Sequence, residues 1–396
     1  MGTAMDPAVG TARDPGTETT VDMAVPPTAT QAPAPEATET PSAPTDTFDE
    51  DRFNEFLHHF VVDLGATIGA GGIVVGDRLG LYRALAGEPK SPDQLASLTG
   101  TAVRYVEEWL RGQAAGGYVQ YDPESKNYSL TPEQAFALTN PDGPVFLPGA
   151  FELALGALRA APRLVEAFRT GDGIGWHEHD KDIFSGTERF FRPGYSANLM
   201  SSWLPSLDDV EAKLRAGGAV ADVGCGLGAS TILMAQAFPA ATFAGSDYHE
   251  GSIETARQHA AEQGLGDRVT FEVAGAGSFH GGPYDLVTTF DCLHDMGDPD
   301  AAAAHVRERL ADDGTWMIVE PFAGDTVEDN LNPVGRVYYS FSAFLCVPNA
   351  VSQGAHRTLG AQAGEAAIRS VTESAGFTRF RRAAETPFNL VYEVRP

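Results

Sequence analysis

The clearest chemical signal in this 396-residue sequence is a glycine-rich turn that directly follows an apolar run containing an acid. The run is Ala219–Val223, its acid is Asp222, and the turn is Gly224-Cys225-Gly226-Leu227-Gly228. A helical pattern begins near Ser230. Glycines at these positions let the backbone turn sharply and come close to a bound ligand. The pattern therefore predicts a binding site at the turn.

A second acidic residue, Asp247, ends the next apolar run, which begins at Phe243. A carboxylate at this place accepts hydrogen bonds from both ribose hydroxyls of a nucleoside held over the turn. The sequence contains no GxxxxGK[ST] motif, which would cradle phosphates. A nucleoside without phosphates is therefore expected as the ligand, and this chemistry favours S-adenosylmethionine.

Two titratable residues that follow later apolar runs are candidates for catalysis. His294 comes after the run Tyr284–Phe290, and Glu320 ends a run that begins at Thr315. Because ligands bind at the carboxyl ends of parallel strands and histidine titrates near neutral pH, we predict His294 as a general base. Glu320 is the second candidate. The alternatives are that His294 only packs against a loop, and that Glu320 pairs with a backbone amide or an arginine.

The elements that must position these residues alternate between strand-like and helical patterns from residue 218 onward. Such alternation predicts an α/β fold, with a parallel sheet covered by helices on both faces. The seven predicted strands lie at residues 219–223, 242–246, 269–273, 284–290, 315–320, 378–384 and 388–394. Only a three-residue link joins the last two strands, so this pair must be antiparallel.

In this order and spacing, the motifs resemble the class I S-adenosylmethionine-dependent methyltransferases over roughly residues 190–396. The run Tyr284–Met296 after the fourth strand and the run Leu310–Gly314 before the fifth carry part of the resemblance. His294-Asp295-Met296 and Glu320-Pro321-Phe322 are similar to a bacterial subfamily of small-molecule methyltransferases. The resemblance implies a Rossmann-like seven-stranded sheet with an antiparallel last strand.

The resemblance also implies roles for individual residues in binding the cofactor. These are Asp222, Gly224, Cys225 and Gly226 at its methionine end, Asp247 at the ribose, Tyr248 against the adenine, and Asp291 and Cys292 near the reactive methyl. Members of the family commonly have an acid or amide after the third strand that holds the adenine amine. This sequence has none there, so Ser278 or backbone groups must hold the adenine.

The region before the sheet shows three helical patterns followed by two short strand-like runs, which is the order of a winged-helix module. Residues 70–140 resemble the winged-helix dimerisation domain of bacterial small-molecule O-methyltransferases. Glycines at positions 69, 71 and 72 are expected to divide the first helical pattern, at 52–86, into two helices. Residues 51–140 carry seven Lys or Arg against eleven Asp or Glu, which favours dimerisation over DNA binding.

These patterns divide the chain into four predicted parts. Residues 1–47 form a disordered tail rich in Thr, Ala and Pro, and residues 48–140 form the winged-helix domain. Residues 141–215 form a helical linker and substrate-cap elements, and residues 216–396 form the methyltransferase domain with a lid insertion at 321–363. Aromatic residues at helical spacing in this lid suit a small, largely apolar acceptor. Tyr195, just ahead of the sheet, is a further candidate to reach the cofactor.

Composition limits the other classes of function. The net charge of −27 disfavours nucleic acid and anionic membranes as partners. No segment is expected to be long and apolar enough to cross a bilayer. Three dispersed cysteines and the lack of a secretory pattern indicate a reducing, cytoplasmic location. His177 and His179 lie among acids, but we predict no metal there and a solvated loop, or one that closes over the site.

The sequence therefore predicts S-adenosylmethionine-dependent methyl transfer to a small-molecule acceptor by a homodimer. It leaves open whether oxygen, carbon or nitrogen is methylated. One alternative is a regulator that binds S-adenosylmethionine without catalysis. Another is an enzyme of the same fold that uses the cofactor for a reaction other than methylation.

Overall fold

The computed structural model describes residues 48–396, and residues 49–396 form one compact unit. The predicted disorder of residues 1–47 lies outside the described residues. The first part of the unit is helical with a small hairpin, and its elements are α1 (Glu50–Arg78), α2 (Leu81–Leu85), α3 (Pro92–Thr99), α4 (Val103–Ala115), β1 (Gln120–Tyr121), β2 (Tyr128–Ser129) and α5 (Pro132–Leu138). The hairpin strands are antiparallel, so the helix and hairpin order of a winged-helix module is confirmed.

Helix α1 is continuous for 29 residues, so the prediction that its glycines divide it was wrong. The reason lies in the packing of α4 against it. The indole of Trp109 donates a hydrogen bond to the carbonyl of Gly72 at 2.7 Å, and a Cβ at Gly76 would lie 2.4 Å from the same ring. The glycines therefore allow the two helices to approach closely. The chain breaks later, at Gly80, where φ is +68°.

Because α1 is unbroken, it is long and apolar enough to cross a bilayer by length and composition, contrary to the prediction from the sequence. Only 22% of its most apolar window is buried within the chain. Its exposed large apolar side chains include Phe56, Phe60, Val61, Leu64 and Ile68. The face that carries these side chains has no cover within the described residues.

Helix α3 begins at a cap that its own sequence supplies. Ser91 accepts a hydrogen bond from the amide of Gln94, whose side chain bonds back to the amide of Ser91, and Pro92 occupies the first turn. This reciprocal cap satisfies two backbone donors at the helix start. The helix ends at Gly100, in the left-handed conformation that favours glycine.

Residues 141–215 are mainly helical, as expected. Their helices are α6 (Pro148–Leu158), α7 (Ala161–Thr170), α8 (Asp182–Asn198) and α9 (Val210–Arg215). Helices α6 and α8 pack closely because each presents glycine at the contact. A Cβ at Gly149 would lie 2.7 Å from the backbone of Arg189, and one at Gly186 would lie 2.4 Å from the amide of Leu153. This close contact fixes α8 above the sheet.

The predicted α/β sheet is present, with seven strands in the order β5-β4-β3-β6-β7-β9-β8. The strands are β3 (Ala219–Val223), β4 (Thr242–Asp247), β5 (Val269–Val273), β6 (Tyr284–Phe290), β7 (Leu310–Pro321), β8 (Arg379–Glu385) and β9 (Asn389–Arg395). Strands β3 to β7 are parallel, and β9 lies antiparallel to both of its neighbours, β7 and β8. Strand β7 begins earlier than predicted.

Helices cover the sheet, and the insertion after β7 folds as further helices. The covering helices are α10 (Ala229–Ala237), α11 (Glu250–Glu262), α12 (Pro299–Arg309) and α15 (Gly364–Ser374). The insertion contains α13 (Pro333–Phe341), a π-helix (Ser342–Cys346) and α14 (Val347–Ser352). The order of strands reverses between β3 and β6, and ligands of open α/β sheets bind at the carboxyl ends of strands on such a reversal.

Candidate active site

A cavity of about 680 Å³ lies at the carboxyl ends of β3, β4 and β6, between the sheet, helix α8 and the helices of the insertion. Eight of the ten site residues predicted from the sequence line it: Gly224, Cys225, Gly226, Asp247, Tyr248, Asp291, Cys292 and His294. Asp222 and Glu320 are absent from its lining. The structure therefore brings most of the predicted site together, and cofactor contacts at these residues stay predictions.

The glycine-rich turn has a backbone that favours glycine at three positions. The φ angles are +74° at Gly224, +52° at Gly226 and +84° at Gly228. A Cβ at Gly224 would lie 2.7 Å from the sulfur of Cys292, so the turn packs tightly against the end of β6. A Cβ at Gly226 would meet no atom within 4 Å, because Gly226 faces open cavity. The turn thus leaves room for a ligand at Gly226.

Asp222 lies behind this turn, so its predicted place along the ligand is corrected. Its carboxylate is 1% exposed and accepts hydrogen bonds from the hydroxyls of Ser230, Thr231 and Thr288, at 2.5 to 2.9 Å. Burial raises the pKa of Asp222, while the three hydroxyls oppose this rise. Because these hydroxyls come from α10 and β6, Asp222 ties the glycine-rich turn to its neighbours and positions it.

Asp247 faces the cavity from the end of β4. Its carboxylate accepts hydrogen bonds from the amide of Gly226 at 3.0 Å and from the amide of His249 at 2.8 Å. One bond engages each oxygen, so each oxygen keeps acceptor capacity for a ligand hydroxyl. Burial raises the pKa of this carboxyl. The placement fits a carboxylate that binds both hydroxyls of a ribose beside the glycine-rich turn.

Tyr248 connects the end of β4 to the insertion. Its hydroxyl donates to the side-chain oxygen of Asn349 on α14 at 2.9 Å, and the amide of Trp176 donates to the same oxygen at 3.1 Å. Trp176 also lines the cavity. The segment around Trp176 and the insertion therefore meet at this end of the cavity, and closure of this segment over the site stays a prediction.

The wall of the cavity after β5 consists of Ala274–Gly277. Ser278 does not line the cavity, and its hydroxyl donates to the carbonyl of Gly275 at 3.2 Å. Of the two alternatives that the sequence left open for holding an adenine, the structure therefore presents backbone groups. Side chains contribute little at this wall, since its residues are only glycine and alanine.

Asp291 is held at the end of β6 by two partners from distant elements. It accepts hydrogen bonds from the hydroxyl of Tyr195 and from the side-chain amide of Asn389, both at 2.9 Å. Its φ is +50°. Burial raises the pKa of Asp291 to about 7, and the charge of Glu320 adds to the rise. Tyr195 thus lines the site, and its contact with the cofactor stays a prediction, whereas Asn389 was missed because no local motif marks it.

Cys292 and Asp295 complete the loop after β6. The thiol of Cys292 donates to the carbonyl of Val223 at 3.3 Å, and burial raises the pKa of this thiol. Burial also raises the pKa of Asp295 to about 7, although the charge of His294 opposes the rise. The cavity therefore contains two carboxyl groups, those of Asp291 and Asp295, that titrate near neutral pH.

His294 and Glu320 form a buried pair. The Nδ1 atom of His294 lies 2.6 Å from one carboxylate oxygen of Glu320, and the amide of Leu293 donates to the other at 3.0 Å. Burial disfavours the charged imidazole, but Glu320 and the nearby Cys346 outweigh burial and raise the pKa of His294 well above its usual value. Glu320 thus orients His294 from behind through Nδ1, and the ring, whose other nitrogen is Nε2, also has Cys346 as a hydrogen-bonding neighbour.

The segment that carries His177 and His179 shows no metal centre. No group of three or more His, Cys, Asp or Glu able to hold a metal ion occurs within residues 48–396. Glu178 in this segment instead pairs with Arg163 at 2.6 Å and accepts a hydrogen bond from the amide of Gly175.

The donors and acceptors of the cavity fit S-adenosylmethionine better than a phosphate-bearing nucleotide. Among the described residues that line it, only Arg192 and His294 have basic side chains. Each already pairs with a carboxylate, Asp142 and Glu320 respectively. A chain of phosphates would therefore meet only the one guanidinium of Arg192 outside the buried His294–Glu320 pair, while Asp247 and the open space at Gly226 remain available to a nucleoside.

Comparison with protein families identifies two domains in this chain. The family described as "Methyltransferase domain" matches residues 221–316, and the family described as "Rv2258c-like winged HTH domain" matches residues 69–140. The first match contains the glycine-rich turn, Asp247 and His294. The chain therefore contains a winged helix-turn-helix domain followed by a methyltransferase domain.

Individual relatives are distant. A rice protein (Oryza sativa subsp. japonica) named probable tocopherol O-methyltransferase is 31% identical over 33% of this chain and 37% of its own length. An uncharacterised Synechococcus protein is 29% identical over 25% of this chain and 24% of its own. The chain thus covers less than two fifths of either relative.

Two solved structures have a similar fold. Human N-acetylserotonin methyltransferase in complex with S-adenosylmethionine is 16% identical with a TM-score of 0.63, over 89% of this chain and 99% of its own. An O-methyltransferase family protein from Burkholderia thailandensis is 18% identical with a TM-score of 0.60, over 88% and 98%. At these identities the likeness establishes the fold alone.

Proposed function

We propose that this protein transfers the methyl group of S-adenosylmethionine to a small-molecule acceptor, with oxygen as the atom methylated. The observation that carries the proposal is the meeting of the glycine-rich turn, Asp247 and His294 in one cavity of a methyltransferase domain. The choice of oxygen is supported by the names of the rice and Burkholderia relatives, which are O-methyltransferases.

The cofactor would be held by the turn at Gly224–Gly226, by Asp247 and by the backbone at Ala274–Gly277. When bound, S-adenosylmethionine supplies an activated methyl group on a sulfonium. The protein then has to orient the acceptor and exclude water. Apolar and aromatic side chains of α8 and the insertion form the acceptor part of the cavity, among them Phe184, Phe191, Val334, Tyr338 and Phe341. This lining suits a small, mainly apolar acceptor.

His294 would accept the proton of the acceptor hydroxyl at Nε2. Glu320 holds the other ring nitrogen, fixes the tautomer and stabilises the charged ring that results. Because the pKa of His294 is raised, the neutral form needed for proton removal becomes abundant only above the usual histidine range. We therefore propose His294 as the general base and Glu320 as its positioning residue. Of the two candidate bases, His294 and Glu320, only His294 keeps that role.

The exposed apolar face of α1 supports a homodimer. Phe56, Phe60, Val61 and Ile68 on this helix are more than half exposed, and solvated monomers rarely keep such an apolar strip uncovered. A second copy would cover the same strip on both subunits through a twofold axis. The free cysteines support a reducing, cytoplasmic compartment.

Turnover assays would test the proposal. The purified protein is incubated with S-adenosylmethionine and a panel of phenols and other small alcohols, and formation of S-adenosylhomocysteine is followed by mass spectrometry. We expect turnover with a phenolic or alcoholic acceptor, and a loss of roughly 10²- to 10⁴-fold in kcat for His294→Ala at unchanged cofactor affinity. Tight cofactor binding with no turnover across the panel and cell extracts would instead support the non-catalytic regulator.

A further inference from the structure

Within the described part of the chain, Glu188 is a cavity-lining carboxylate without a hydrogen-bond or ion-pair partner. Glu188, on α8, lines the cavity and is only partly exposed, yet none of the residues in 48–396 donates a hydrogen bond to it or forms an ion pair with it. A partly buried carboxylate without a donor is costly in free energy, and ligands commonly supply the missing partner at binding sites.

The other acidic residues of the lining differ from Glu188 in this respect. Asp247 accepts hydrogen bonds from two backbone amides, and Asp298 accepts one from the amide of Ala301. Asp291 accepts hydrogen bonds from the side chains of Tyr195 and Asn389. The side-chain amide of Asn349 donates a hydrogen bond to the backbone carbonyl of Asp295 at 3.1 Å, and Asn349 also opposes the rise in the pKa of the Asp295 carboxyl. Glu188 is thus the lining carboxylate that is left for a cation or donor from the ligand.

Glu188 lies on the face of α8 that lines the cavity. Phe184, Phe191 and Tyr195 line the same cavity, and their spacing of three to seven residues from Glu188 places all four on one face of the helix. Helix α8 packs against α10, which begins directly after the glycine-rich turn. The methionine end of the cofactor is expected at this turn.

Arg192, one helical turn after Glu188, supplies the opposite charge. It also lines the cavity, and only its Nη2 atom is engaged, by the carbonyl of Pro141 at 3.3 Å and by Asp142 at 2.8 Å. The Asp142 side chain is 74% exposed, so this ion pair is weak. Although Glu188 and Arg192 have the spacing of a helical ion pair, they form none.

We propose that Glu188 and Arg192 together bind the amino-acid end of the cofactor, with Glu188 accepting hydrogen bonds from its α-ammonium group and Arg192 donating to its α-carboxylate. The inference rests on the proposed function, because it takes S-adenosylmethionine as the ligand. A carboxylate and a guanidinium one turn apart match the paired charges of an α-amino acid. The two residues would thereby select S-adenosylmethionine and S-adenosylhomocysteine over adenosine compounds that lack the amino-acid part.

Calorimetry with two ligands would test this directly. S-adenosylhomocysteine carries the amino-acid end, and 5′-methylthioadenosine shares the nucleoside and sulfur but lacks that end. We expect Glu188→Gln to weaken the binding of S-adenosylhomocysteine about tenfold or more, since a hydrogen bond to a charged group is lost. The affinity for 5′-methylthioadenosine should stay within about twofold of the parent value. Arg192→Gln should show the same selectivity.

Controls separate this inference from the proposed function and from general effects. Glu166→Gln removes an exposed carboxylate of α7 that lies outside the cavity lining, and should change neither affinity. Equal S-adenosylhomocysteine affinity in Glu188→Gln, or equal losses for both ligands, would overturn the inference alone. If the parent protein bound neither ligand, the proposed function would fail as well. Thermal unfolding of each variant would show whether the fold is retained.

Discussion

Replacing Glu320 with glutamine should lower the pKa of His294 and move the pH dependence of activity to lower pH. In the parent protein, the Glu320 carboxylate lies 2.6 Å from Nδ1 of His294 and outweighs the effect of burial on the imidazole. Glutamine has nearly the same shape and still offers an oxygen to Nδ1. The substitution therefore removes the charge while it keeps the hydrogen bond and the packing.

The size of the effect follows from the burial of the pair. The side chains of His294 and Glu320 are 6% and 5% exposed, so solvent screens their interaction weakly. Two unit charges about 4 Å apart interact by about 4 kcal/mol at an effective dielectric constant of 20, and one pH unit corresponds to about 1.4 kcal/mol. Allowing for the lost desolvation of Glu320, we expect the pKa of His294 to fall by about one to three pH units.

Two assays read this change. Carbon–proton NMR of ¹³C-histidine-labelled protein gives the pKa of His294 without any acceptor, and His294→Ala identifies its signal among the ten histidines. With an acceptor, kcat/KM should rise with pH through a lower inflection in the variant, and its plateau should fall because the base is weaker. An unchanged or higher pKa of His294 in Glu320→Gln would refute the assigned pairing.

The pair also links stability to pH, with a definite sign. A histidine whose pKa is raised on folding stabilises the native state fully below its unfolded pKa of about 6.5, and this contribution is lost as pH rises through the folded pKa. The difference in unfolding free energy between the parent and Glu320→Gln should therefore be largest below pH 6.5 and shrink above it. Urea unfolding at several pH values measures this difference, and a difference that grew with pH would contradict the account.

Two further predictions concern the glycine-rich turn and assembly. Gly226→Ala should weaken the binding of S-adenosylhomocysteine at least about tenfold, because the new Cβ would enter the open cavity. The control is Gly264→Ala, at a glycine with a similar positive φ of +67° and no atom within 4 Å of an added Cβ. This variant should lose similar stability but keep its affinity for S-adenosylhomocysteine. Equal affinity losses in Gly226→Ala and Gly264→Ala, measured by calorimetry, would contradict the role of Gly226 in leaving room for the ligand. Light scattering should show a dimer for the parent protein and a monomer for the double variant Phe56→Asp/Phe60→Asp, since both side chains lie on the exposed face of α1. A monomeric parent protein would reject the dimer. Binding of the parent protein to lipid vesicles would assign that face to a membrane.

The parts of the fold and site that are encoded locally could be predicted from the sequence. The glycine-rich turn, Asp247 and the order of strands depend on neighbouring residues, so their patterns are visible in the chain. The cap at Ser91 is of the same kind. Local patterns suffice here because each element supplies its own turn, cap or strand ending.

The parts that depend on distant contacts could not be predicted. The glycines at positions 69, 71 and 72 looked like helix breakers, but α1 continues through them, and Trp109 of α4 donates a hydrogen bond to the carbonyl of Gly72. Asp222 looked like a ligand contact, but Thr288 lies beside it in the neighbouring strand and helps to sequester its carboxylate. Asn389 reaches Asp291 only because β9 inserts next to β7. Each of these depends on elements far apart in the chain.

The most direct test of the central claim, that this cavity binds S-adenosylmethionine, is calorimetric binding of S-adenosylhomocysteine to the parent and to Asp247→Ala. We expect one site per chain in the parent and a loss of about 1.5–3 kcal/mol in the variant, the range for hydrogen bonds to a charged group. Asp247 also accepts a hydrogen bond from the amide of Gly226. Because Asp247→Asn keeps one acceptor oxygen, it should lose less binding free energy than Asp247→Ala. No binding by the parent, or equal affinity in Asp247→Ala, would contradict the account.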